Sequence, residues 1–205
     1  MLGLLEQNQL VKWMPLLRGA RVLQLGDWPK SFDILAERAA TYYCLSGAGE
    51  TRLSFDYQSL PFKPELFDFV VVSHVLETVE YPSLVLKEVY DCMAPNAKCL
   101  IFCFNAWSPY YWLTYWLKIK NQFPQTELKA RSPWHTQQCL TALGFTVLKD
   151  KTLGFGFHEV IGQMTVPMLG AVNVVLVEKQ VVAGLPFLRY HWAAAKSGLM
   201  SSLSS

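Results

Sequence analysis

Charge is what this chain has least of. Asp, Glu, Lys and Arg make up only 17% of 205 residues, and the formal net charge is +2. Such a balance excludes a disordered polyelectrolyte and supplies no general attraction to nucleic acid or anionic lipid. Nucleic acid is therefore a disfavoured partner unless Lys118, Lys120, Lys129 and Arg131 cluster in space. The usual metal-ligand patterns are missing too. The five cysteines, Cys44, Cys92, Cys99, Cys103 and Cys139, form no CxxC pair, and no His stands at ligand spacing, so no metal is expected. An odd number of cysteines, mostly among apolar neighbours, reads as reduced packing residues, which points to a reducing compartment, the cytoplasm. Long hydrophobic runs are absent as well. The longest, Val166 to Val177, is interrupted by Pro167, Gly170 and Asn173 and is too short for a transmembrane helix. MLGLLEQNQLVKW lacks the basic start and unbroken apolar stretch of a signal peptide. There are no internal repeats.

What the chain does have is apolar mass, with 52% hydrophobic and 14% aromatic residues. At this length that suits one domain with a sizeable core, here residues 1–182. The small, polar tail 183–205, ending LMSSLSS, is expected to be partly disordered.

The order of elements follows from local pattern. Leu10, Trp13, Met14 and Leu17 share one helical face, and Arg18-Gly19 stops that helix. Val22 to Leu25 form a short strand, and Gly26 lets the chain turn with its backbone bare. SFDILAERAA predicts a helix that Ser31 can cap, TYYCLS a second strand, and RLSFD a third ending at Asp56. Residues 105–135 form an aromatic-rich helical insertion or lid. It reads either as a helix packed on the sheet edge or as an aromatic wall over a substrate pocket. Arg131 to His135 supply turn and cap residues for the helix TQQCLTALGF, which Gly144 closes. The β-prone runs Phe145 to Lys149 and Ala171 to Glu178 are expected to pair antiparallel.

The most informative stretch is LPFKPELFDFVVVSHVLETVEYPSLVLKEVYDCMAPNAKCLIFCFN, Leu60 to Asn105. Its unalternating apolar runs, Val70 to Val72 and Leu100 to Phe104, flank a helix opened by Pro82 and a Pro-Asn turn. That is a βαβ unit with parallel strands buried on both faces. Ligands of open α/β sheets sit beyond the carboxyl ends of the strands, which singles out Ser73, His74, Asn105 and Trp107.

Taken with Asp56, these residues resemble the middle of a class I S-adenosylmethionine-dependent methyltransferase. The resemblance is carried by Leu60-Pro61-Phe62, Phe67-Asp68, His74-Val75-Leu76-Glu77, Pro82 with Leu86 and Glu88, and Met93-Ala94-Pro95-Asn96. Phe104-Asn105-Ala106-Trp107-Ser108 is similar to a step found in a glycine-poor bacterial branch of methyltransferase-domain proteins. The resemblance implies an α/β, Rossmann-like, doubly wound sheet of seven strands, mostly parallel with the last antiparallel, and helices on both faces. It implies S-adenosylmethionine as cofactor and methyl transfer to a small-molecule or lipid-like acceptor by in-line displacement. Gly26 would let the backbone approach the methionine part; Asp56 would accept from the adenine amino group, with Tyr57 donating from its backbone. Ser73 and His74 would lie near the methionine end, His74 being the candidate catalytic residue and Glu77 its capping or orienting neighbour. Asn105, Trp107, Tyr110 and Tyr111 would shape the acceptor pocket.

The first loop departs from the family's pattern. An acidic residue and a Gly-x-Gly-x-Gly run are usual there, whereas this chain has Gln24-Leu25-Gly26-Asp27-Trp28-Pro29-Lys30. Gln24 puts an amide where a carboxylate is usual, and Trp28 stands where a side chain would crowd a ligand. The ribose-holding acid is replaced by Leu45-Ser46-Gly47, leaving Glu50 or Asp27 as substitutes. Each loss is worth about 1–3 kcal/mol of cofactor binding. A catalytically inactive, binding or regulatory relative is thus the alternative reading. A nicotinamide dehydrogenase is weaker, since it needs the same glycines and acid.

Overall fold

The computed structural model of the chain describes residues 2–13, 20–26, 34–45, 56–109, 132–153 and 170–180. They form α1 (Leu2–Trp13), β1 (Arg21–Leu25), α2 (Ile34–Arg38), β2 (Thr41–Leu45), β3 (Phe67–Ser73), α3 (Pro82–Cys92), β4 (Met93–Phe104), α4 (Pro133–Ala142), β5 (Phe145–Leu153) and β6 (Val172–Lys179). The strands join in one sheet of order β2-β1-β3-β4-β6-β5. β2, β1, β3 and β4 run parallel, while β6, the last in sequence, is antiparallel to both β4 and β5. The expected mixed sheet and the antiparallel terminal pair are both present. Six strands are described; of the expected third strand, RLSFD, only Asp56 is among the described residues.

Alternation along each strand divides the core into two layers. Val70 and Val72 of β3 pack with Val85, Leu86 and Val89 of α3 and Leu140 of α4. Phe69 and Val71 face the other way, onto Leu10 of α1 and Leu35 of α2. A central strand covered on both faces must be apolar throughout, which is why β3 lacks the alternation of a half-solvated strand. No helix among the described residues is long and apolar enough to cross a membrane.

Several boundaries differ from the sequence reading. The central strands are longer than Val70–Val72 and Leu100–Phe104, because pairing continues past the apolar runs. The expected Pro-Asn turn lies inside β4, where the register jumps from Phe67↔Met93 to Phe69↔Lys98. Asn96 takes φ +59° there, a left-handed conformation that Asn tolerates. α3 has Pro82 in its first turn without a side-chain cap. Its C-terminal end is held by Lys179, whose Nζ donates to Tyr90 O and Met93 O, each at 2.7 Å. α4 begins at Pro133, so Pro133 to His135 form its first turn rather than a preceding loop, and Ser132 Oγ accepts from His135 N at 3.2 Å. The expected helix stop at Arg18-Gly19, the Ser31 cap, most of the 105–135 insertion and the tail 183–205 lie outside the described residues. So do Met14, Leu17 and the Trp13 side chain.

All five cysteines are thiols. Burial pushes the Cys99 and Cys103 thiols well above their ordinary range, and pushes Cys92 up to about 11, with Glu88 and Asp91 adding to it.

Candidate active site

The carboxyl ends of β1, β3 and β4 lie side by side, and the chain leaves each of them differently. At β1, Gly26 has φ +83°, and a Cβ placed on it would lie 2.2 Å from Ser73 O. Only glycine fits, because the backbone must turn left-handed while touching the neighbouring strand end. Gly26 N also donates to Leu45 O at 2.8 Å, tying β2 to the same turn.

Gln24 is buried two residues earlier. Its Nε2 donates to Gly26 O at 2.7 Å, and its Oε1 accepts from Tyr42 Oη at 2.7 Å. An amide both donates and accepts, so Gln24 fastens the turn to β2 from inside the protein. A carboxylate could not donate to Gly26 O.

At the end of β3 the chain again turns left-handed, at His74 with φ +53°. For a residue with a Cβ that conformation costs roughly 1–2 kcal/mol. It is held by His74 N donating to Phe102 O at 3.0 Å and by the imidazole ring, which is clamped at both nitrogens. Nδ1 lies 2.9 Å from Glu77 Oε1, and Nε2 lies 3.1 Å from Glu6 Oε1. The three side chains are at most 1% exposed. The ring lies against Phe104, centroid to centroid at 4.2 Å. Burial pulls the His74 pKa down, but Glu77 and Glu6 more than offset this by charge and hydrogen bonding and raise it to about 9. An imidazole with carboxylates at both nitrogens donates from both, so it is an imidazolium. Glu77 Oε1 also accepts from Phe104 N at 2.8 Å, which ties this cluster to the end of β4.

Beyond β4, Asn105 is fully buried. It donates from Nδ2 to Gly170 O at 2.9 Å and accepts at Oδ1 from Trp107 N at 3.0 Å. Trp107 itself is half-exposed. Asp56 sits on the surface, its Oδ1 accepting from Gln58 N at 2.9 Å in a local turn, and Tyr57 is partly buried beside the α3-side core. Asp27, Trp28, Glu50, Tyr110 and Tyr111 lie outside the described residues.

The structure thus brings Gln24, Gly26, Ser73 and His74 to adjacent strand ends, and places Asn105 beside them at the end of β4. Glu6 was missed by the sequence reading. The available signal was its place one helical turn before Leu10, on the same face, in a helix with no other acid. Among the described residues no three His, Cys, Asp or Glu side chains are arranged to hold a metal. The two carboxylates here lie on opposite edges of the imidazole rather than converging on a point. A cavity of about 170 Å³ opens on the other side of the loop after β3, between Leu76, Tyr81, Leu86, His135 and Cys139. Leu76 faces that cavity while the next residue, Glu77, faces His74.

Comparison with known proteins agrees with this arrangement. Residues 9–101 match the family model of the methyltransferase domain. A structure described as a SAM-dependent methyltransferase from Archaeoglobus fulgidus is 19% identical, with TM-score 0.65 over 85% of this chain and 93% of that one. A corresponding protein from Mesorhizobium loti is 16% identical, with TM-score 0.63 over 84% of this chain and 97% of that one. One from Aquifex aeolicus is 14% identical, with TM-score 0.57 over 84% and 88%. No curated protein sequence matches. The sheet order and these likenesses define a class I methyltransferase fold. The matched residues 9–101 resemble the methyltransferase domain, and the solved structures that share the fold are described as S-adenosylmethionine-dependent methyltransferases.

Proposed function

We propose that this chain is an S-adenosylmethionine-dependent methyltransferase acting on a small-molecule acceptor. The observation that carries the reading is the contact of Gly26 with Ser73 O: a bare, left-handed backbone at adjacent parallel strand ends, inside the matched residues. Such a turn carries bare backbone past the strand ends, where ligands of open α/β sheets sit. Three groups of residues would take the cofactor. Gly26 and Asp27 would take its methionine part, Ser73 and His74 would border the same end, and Asp56 with Tyr57 would take the adenine. The cofactor, when bound, supplies an electrophilic methyl group, so the protein's own task is to hold donor and acceptor in line. Both His74 nitrogens are turned to carboxylates, and we assign this side chain to positioning the β3 end rather than to removing a proton. Trp107, Tyr110 and Tyr111 would border the acceptor, apolar or lipid-like in part, with Asn105 fixing the backbone from which Trp107 projects.

Calorimetry and thermal shift with S-adenosylmethionine and S-adenosylhomocysteine test the reading. Binding of both with a raised Tm is expected; no heat and no shift at saturating cofactor would overturn it. The internally satisfied Gln24 favours a second reading, a relative that binds cofactor without turnover. Transfer of labelled methyl groups to a cell extract would exclude that one.

A further inference from the structure

The cavity of about 170 Å³ beside the loop after β3 is lined by side chains that the methyltransferase reading does not use. Leu76, Pro82 and Leu86 give it apolar walls, and Glu80, Tyr81 and Ser83, which line it as well, are exposed, so it opens to solvent. From α4 come His135, Thr136 and Cys139. His135 and Cys139 are four residues apart and share one face of the helix. Cys139 Sγ lies 3.8 Å from His135 Nε2. Leu140, fully buried in the core, and Ser132 Oγ, which accepts from His135 N at 3.2 Å, fix α4 so that the pair stays on the cavity wall.

A thiol within reach of an imidazole, both on the wall of one cavity, is the arrangement of an activated nucleophile. Cys92, Cys99 and Cys103 are buried, and Cys44, although exposed, does not line this cavity. The lining also narrows the electrophile. Acyl transfer needs donors aimed at a developing oxyanion, whereas thiol–disulfide exchange needs a thiolate, somewhere for its proton to go, and room for the arm of the disulfide. Here the room is that of a few heavy atoms between leucines. Glu80 is the one carboxylate of the lining and no Lys or Arg belongs to it, which disfavours an anionic arm.

We propose that Cys139, with His135 as its base, is a site of thiol–disulfide exchange for small disulfides whose short, non-anionic arm enters the cavity between α3 and α4. The Cys139 thiol passes its proton to His135 Nε2, and the thiolate attacks one sulfur of the disulfide. The old S–S bond breaks as the new one to Sγ forms, and the departing thiolate takes the proton from His135. Cys139 sulfur is oxidised, the departing sulfur is reduced, and the products are a mixed disulfide on Cys139 and one free small thiol. The proposal stands apart from the methyltransferase reading and does not depend on cofactor binding.

The test treats the reduced full chain with 2-hydroxyethyl disulfide at neutral pH, quenches with acid, and follows each cysteine by intact mass and peptide mapping. Cys139 is expected to take up the 2-hydroxyethylthio group roughly tenfold or more faster than Cys44, although Cys44 is the more exposed, and dithiothreitol is expected to remove it. His135→Asn is expected to slow Cys139 by about the same factor, and Ser83→Trp, which would fill the mouth of the cavity, to slow it severalfold, with Cys44 unchanged in both. Both substituted residues are exposed, and circular dichroism checks that each variant is folded. Cys139 reacting no faster than Cys44 would overturn the proposal, as would an unchanged Cys139 rate in His135→Asn. An unchanged rate in Ser83→Trp would overturn it as well, since the arm would then not enter the cavity. If a variant does not fold, the wild-type order of Cys139 and Cys44 decides the matter.

Discussion

Glu6 and His74 are 68 residues apart in sequence, yet Glu6 Oε1 and His74 Nε2 are 3.1 Å apart, with side chains 0% and 1% exposed. This ion pair fastens an N-terminal helix to the end of the central strand. It also makes stability depend on pH in a definite direction. The His74 pKa is raised from 6.5 to about 9 in the folded protein. A raised pKa stabilises the fold fully below the unfolded value, and the contribution is lost as pH rises through the folded one. Unfolding free energy should therefore fall between about pH 6.5 and 9 by on the order of 3 kcal/mol. Urea melts across that range check it. Glu6→Gln should flatten the profile, and His74 ring nitrogen shifts should report the imidazolium at neutral pH.

Gly26→Ala meets two penalties at once, a left-handed φ of +83° and a Cβ 2.2 Å from a backbone oxygen. The backbone conformation alone costs roughly 1–2 kcal/mol, and the clash forces β1 and β3 apart at their ends. A total loss of about 3 kcal/mol or more is expected in chemical denaturation, together with loss of cofactor binding.

Gln24→Glu restores the residue type usual at this place in the family, and the structure predicts that it harms. The glutamate would point an oxygen at Gly26 O in place of a donor 2.7 Å away, in a buried position. An unsatisfied buried acceptor costs about 1–3 kcal/mol, and more when charged. Reduced stability at neutral pH, partly recovered on acidification as the carboxyl is protonated and can donate, would bear this out. Greater stability in the variant would refute it.

Asp56→Ala separates stability from binding. Its side chain is exposed and, among the described residues, bonded within its own turn, so the melting midpoint should move by no more than about 0.5 kcal/mol equivalent. If Asp56 accepts from the adenine amino group, S-adenosylmethionine affinity should fall roughly tenfold or more, the worth of one charged hydrogen bond. Equal affinity in both proteins would remove Asp56 from the adenine site.

The parts of the fold that the sequence made legible were those written in local apolar pattern. β3 and β4 announced themselves because both faces are covered, Pro82 marked the start of α3, and Gly26 and Gly144 marked turns that need their freedom. Contacts across the chain were not legible. Gln24 looked like a lost carboxylate, and only Tyr42 on the neighbouring strand shows what the amide does. Asn105 looked like an acceptor-pocket residue, but its side chain closes the chain against Gly170 and Trp107. Glu6 carried no motif at all, since its partner comes from a strand end whose position depends on the whole sheet.

The graded burial of the thiols turns the molecule into its own stopwatch. Cys44 is exposed on the edge-side strand β2, whereas Cys99 and Cys103 sit in β4 between packed layers, with reactivity suppressed by burial. An aromatic disulfide reagent should colour one population within seconds and the other only as fast as the sheet comes apart. The slow phase times the opening of the sheet from within, without a label or an introduced probe.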